Sequence, residues 1–110
     1  LGNKYQQQGT HMSYVRQGSF LPGTTVNITT SGSSQASGAV GNTTAIVRVA
    51  VTENTYVAVG TGNVTATANS MVIPAGGVEF LAVQPSTGNV AVLQVSSAGI
   101  ASITQLAELP

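Results

Sequence analysis

Thr44-Ala45-Ile46-Val47-Arg48-Val49-Ala50-Val51-Thr52 is the stretch that decides the fold. Its β-branched side chains are stiff at χ1, which disfavours a helix and suits a pleated surface. Successive side chains of a strand point to opposite faces, so Ala45, Val47, Val49 and Val51 share one side and Ile46, Arg48, Ala50 and Thr52 the other. The first set is expected to face a core and Arg48 to point away from it.

Working outward, runs rich in Val, Ile and Thr recur at residues 25–30, 55–60, 70–74, 78–83, 89–95 and 100–106, separated by clusters of Gly, Pro, Asn and Ser. Val26 and Ile28 alternate with Asn27 and Thr29 in the same manner. In 78–83, Val78, Phe80 and Ala82 share one face, with Phe80 read as core. Leu81 and Val83 then lie with Glu79 on an outer face that another subunit could bury. Residues 89–95 are also apolar on both faces, as in the central strands of a closed structure or a strand covered by a neighbour.

Gly60-Thr61-Gly62-Asn63, Pro74-Ala75-Gly76-Gly77, Pro85-Ser86-Thr87-Gly88-Asn89 and Ser96-Ser97-Ala98-Gly99 supply turn chemistry, with Gly expected at positive φ. Residues 31–41, poor in large apolar groups, read as a flexible loop, with a weak edge strand at 36–40 as the alternative. Leu106 and Leu109 are three apart, but the short run and Pro110 argue against a helix there. The sum is an all-β chain: an antiparallel β-sandwich of about seven strands, jelly-roll-like or Ig-like.

Residues 25–110 form the sandwich domain in this reading and residues 1–24 an arm or lead-in. The tract 1–9 is polar and aperiodic, and 1–10 lacks the basic and apolar regions of a signal peptide. On the pair His11-Met12, residues 1–11 read either as vector-derived, with Met12 the native start, or as a natural extension that a neighbouring chain would order. Tyr14, Val15, Phe20 and Leu21 are apolar residues in an irregular, Gly-bounded segment. They are expected to dock on the domain's own surface or on a neighbour, and with Leu81 and Val83 they are the candidate interface residues.

Composition excludes much chemistry. Only 5% of the 110 residues are charged, three basic and three acidic. Lys4, Arg16 and Arg48 are too few and scattered to neutralise a nucleic acid or to seek an anionic membrane. With no Cys, and with Glu53, Glu79 and Glu108 as the whole acidic inventory, neither a zinc nor a calcium cage is expected, and no cofactor. The one imidazole, His11, has no Asp to orient it, which argues against a Ser-His-Asp triad. Glu53 and Glu79 are the pair a glycan hydrolase would have to use, and both read more simply as solubilising charges at a turn or edge. Gly60-Thr61-Gly62 reads as a turn, since the polar, extended residues after it offer no helix N-terminus to a phosphate. The triplets at Asn27, Asn42 and Asn63 match the N-glycosylation pattern, with Asn27 expected to be poorly exposed in a strand.

The succession Thr44-Ala45-Ile46-Val47-Arg48-Val49-Ala50, Thr55-Tyr56-Val57-Ala58-Val59-Gly60, Ser70-Met71-Val72-Ile73-Pro74-Ala75-Gly76-Gly77 and Val90-Ala91-Val92-Leu93-Gln94 resembles a group of small structural proteins of tailed-bacteriophage virions. The resemblance spans residues 44–106. It implies a non-enzymatic β-sandwich on the particle: a capsid decoration or cement protein that binds the major capsid protein and stabilises the head shell, made in the bacterial cytoplasm. The alternative it implies is a tail or head-fibre adhesin for a host glycan or receptor, using residues 31–41 and the turn near Gly60. The group has no catalytic residues to carry over. Closed rings are the usual outcome for copies of one chain and capsids offer three-fold positions, so a homotrimer is expected.

Overall fold

The computed structural model describes residues 20–40 and 45–108. It is all-β: β1 Phe20–Thr29, β2 Gln35–Ala36, β3 Ile46–Val51, β4 Thr55–Thr61, β5 Met71–Ile73, β6 Val78–Ala82, β7 Gly88–Gln94 and β8 Ile100–Glu108. The strands pair antiparallel in two four-stranded sheets, ordered β1-β8-β3-β6 (sheet A) and β2-β7-β4-β5 (sheet B). The first strand pairs with the last, the second with the seventh, the third with the sixth and the fourth with the fifth. The chain is thus one long antiparallel ribbon, doubled at the β4–β5 connection and rolled into a sandwich. That is the jelly-roll order, and it decides against the Ig arrangement.

The core lies between the sheets. Val47, Val49 and Val51 of β3, Ile28 of β1 and Ala101 and Ile103 of β8 form one cluster with Val57, Ile73, Val90 and Val92 of sheet B, which Val40 and Val83 join. The alternation of the 44–52 stretch therefore holds, except that Ala45, ahead of β3, is exposed. Ile28 is buried and Val26 half-buried, also as expected.

The two faces of β6 are the reverse of the sequence reading. Arg48 is directly opposite Phe80, and Val49 opposite Glu79. Paired residues in an antiparallel ladder share a face, so Phe80 goes outward with Arg48 and Glu79 inward with Val49. Phe80 is 57% exposed rather than core, whereas Val83 is buried and Leu81 packs against the core. Glu79 stays exposed because β6 is an edge strand. An inward-pointing charge there hinders pairing with a further strand.

Three other expectations change. β1 begins at Phe20, so residues 20–24, read as lead-in, form its first half; a bulge between Pro22 and Thr25 keeps it on β8. Residues 31–40 are tied down rather than loose: Gln94 N–H donates to Ser31 O, Ser37 N–H to Val90 O and Val40 N–H to Gly88 O, with β2 between. Positive φ falls on Gly62 and Gly76 as expected, but in the 85–89 turn it falls on Ser86, not Gly88.

Sheet B is covered over part of its outer face by its own chain. Gly60 has outward parity on β4, and a Cβ built there would meet the Val64 side chain at 3.2 Å. Ala66, itself buried, donates its N–H to Ser34 Oγ ahead of β2 at the far edge (2.9 Å). The 62–70 connection therefore crosses the outward face of sheet B, where Ala91 is fully buried. This explains why β7 is apolar on both sides.

Thr30 fastens the end of β1 to the β7–β8 turn. Its Oγ1 accepts from Gly99 N–H (2.8 Å) and its own N–H donates to Gly99 O (2.8 Å). Thr30→Val keeps the shape and strips the acceptor from a part-buried N–H, so we expect a loss of about 1–2 kcal/mol in urea unfolding.

Candidate functional site

Of the four sheet faces, two form the core and sheet B's outer face carries the 62–70 connection, with Val72 of β5 exposed beside it. On the outer face of sheet A the register separates two groups of residues. On β1 and β8 the face carries a polar cluster, in which Thr25 Oγ1 and Thr104 Oγ1 are hydrogen-bonded at 2.8 Å and Ser102 Oγ donates to Asn27 Oδ1 at 2.5 Å, with Ile100 exposed beside it at the start of β8. Asn27 is exposed here, contrary to expectation, with its amide oxygen engaged. On β3 and β6 the face is apolar: Ile46 and Ala50 are half-buried, Ala82 is exposed, and Val78 and Phe80 are 39% and 57% exposed. Leu106 is buried where Pro22 and Ile46 flank it in the register.

Arg48 sits at the seam, half-buried, between Phe80 on β6 and Thr104 on β8. Its diagonal neighbours are Val78, Ala82, Ser102 and Leu106, so the register brings no carboxylate to it. Arg and aromatic side chains are enriched at protein interfaces, where a guanidinium offers a rigid fork to a carboxylate.

The candidate interface residues scatter. Tyr14 and Val15 lie outside the described residues, as do His11 and the triplet at Asn42. Phe20 opens β1, and Leu21 beside it is exposed opposite Ala107. Leu81 and Val83 belong to the core side. The residues that form the open face instead are Val78 and Phe80, and nothing within 78–83 marks them, because both parities of that stretch are equally apolar; the register with β3 chooses. Arg48 alone was legible, from its place in the 44–52 alternation.

Glu53 and Glu79 are not brought together. Glu53 lies against Gly99 beside the start of β8, while Glu79 is on β6, and these strands flank β3 on opposite sides. Among the described residues, no three His, Cys, Asp or Glu gather as metal ligands, and no helix is long and apolar enough to cross a membrane. Comparison of the chain with protein-family models, with curated proteins and with solved structures finds no match.

Proposed function

We propose that the protein is a non-enzymatic structural component of a tailed-phage virion: a decoration or cement protein that binds the major capsid protein as a homotrimer and stabilises the head shell. The observation that carries this reading is the exposed apolar group on sheet A, where Phe80 and Val78 are exposed around an Arg48 that has no ionic partner among the described residues, on a chain otherwise poor in charge. Exposed apolar patches on a folded domain mark interaction sites. The sequence blocks across 44–106 supply the phage context. The fold is neutral between capsid and carbohydrate-binding roles, since jelly rolls serve both.

Co-sedimentation tests it: the purified chain is expected to bind shells assembled without it, to saturate at a fixed ratio, and to show a trimer mass by light scattering. Binding to host cells and not to shells would instead mark an adhesin. The tying of residues 31–40 to β7 gives that alternative no loose recognition loop. Because both Glu53 and Glu79 are exposed, the double variant Glu53→Gln, Glu79→Gln is expected to change stability by no more than about 0.5 kcal/mol. It should leave shell binding intact.

A further inference from the structure

We infer that the Phe80–Arg48 half of the outer face of sheet A seats a protein segment that carries a carboxylate between apolar side chains; resting on the reading above, that segment belongs to the capsid shell subunit. The apolar part follows from Val78, Phe80 and Ala82, which lie on one outward row of an edge strand and are all exposed. The carboxylate follows from Arg48. Its cross-strand neighbours are an aromatic ring and a threonine, and every diagonal position is apolar or hydroxylic. Covering this strip with a purely apolar surface would strand a guanidinium away from water, which is strongly unfavourable unless an anion meets it.

Charge also separates the occupants. Residues 1–19 carry Lys4 and Arg16 and no acidic residue, so this chain's own N-terminal segment offers Arg48 nothing. A second copy has three carboxylates: Glu79 is turned to the inner side of its sheet and Glu53 lies against Gly99 in the β3–β4 turn, which leaves Glu108, at the end of β8, as the one it has to offer, an outcome the test below separates. An acidic partner group complements Arg48, and complementary charge fixes register and speeds encounter.

The test compares full-length variants for binding to shells assembled without the chain. Phe80→Ser and Arg48→Leu are expected to weaken binding at least tenfold, and Arg48→Lys less, because an ammonium keeps the charge but not the two-pronged geometry. Val72→Ser, which removes a side chain 48% exposed on sheet B, is the control and is expected to bind as the parent does. Circular dichroism melts should be alike for all four, since none of these side chains is in the core. If the parent binds and Phe80→Ser and Arg48→Leu bind equally well, the inference fails and the proposed function stands. If the parent itself does not bind, both fail. If Phe80→Ser lowers the mass in light scattering without altering shell binding, the face joins copies of this chain, and the inference is overturned in favour of self-association.

Discussion

Ile103→Ala is expected to lower the unfolding free energy by about 2–5 kcal/mol, the range for removing a large aliphatic side chain from a packed interior. Ile103 is fully buried on β8 and lies in register between Val26 of β1 and Val49 of β3. It is thus the inward anchor where the first and last strands of the ribbon meet the middle one. Two β-branched neighbours on pleated strands have little rotamer freedom with which to fill the void. Domains of this size hold only about 5–15 kcal/mol of net stability, so the loss is a large fraction of the total. A melting temperature lower by about 10–30 °C follows from the usual entropy of unfolding. Thermal and urea unfolding check it; a loss below about 1 kcal/mol would mean that the sandwich interior is loosely packed there.

Gly88→Ala is the second large effect. A Cβ on Gly88 would stand 2.6 Å from Gln84 O, 2.7 Å from Val83 Cβ and 2.9 Å from Gln84 N. Two of these are backbone atoms that no rotamer change can move. The residue also donates its N–H to Gln84 O (2.7 Å) and accepts from Val40 N–H at its carbonyl (2.8 Å), so relief by backbone shift breaks the turn or unties the 31–40 segment. Overpacking of this kind costs about 1–3 kcal/mol, and the absence of a soft neighbour places Gly88 at the upper end. Hydrogen exchange is expected to show faster opening of the Ser37 and Val40 amides in the variant. Unchanged protection there, with unchanged stability, would contradict the geometry.

The sequence made the strands legible and left their arrangement hidden. Val47, Val49 and Val51 are assignable inward because Arg48 and Ala50 between them mark the other parity. No such marker exists in Val78-Glu79-Phe80-Leu81-Ala82-Val83. There Glu79 reads as the solvent side, yet an edge strand lets an inward carboxylate reach water at the rim of the sandwich. Phe80 and Val83 therefore exchange roles for a reason that lies in the neighbouring strand. The two-sided apolar pattern of 89–95 is legible, and burial on both sides holds for 89–92, but its cause is not legible: the 62–70 connection is polar and irregular, and only Val64 over Gly60 and the Ala66–Ser34 hydrogen bond reveal that it lies across sheet B. Glycine in the turn clusters reads as a carrier of positive φ, whereas Gly88 and Gly99 are needed because neighbouring chain leaves no room for a Cβ. The open face was thus half legible, through Arg48, and half a product of topology.

The most direct test of the central claim is the rupture temperature of phage heads assembled with and without this chain, followed by release of packaged DNA. Heads carrying the protein are expected to withstand a higher temperature, and heads carrying the Phe80→Ser variant to rupture with those that lack it. Equal rupture temperatures for heads with and without the parent protein would contradict the account.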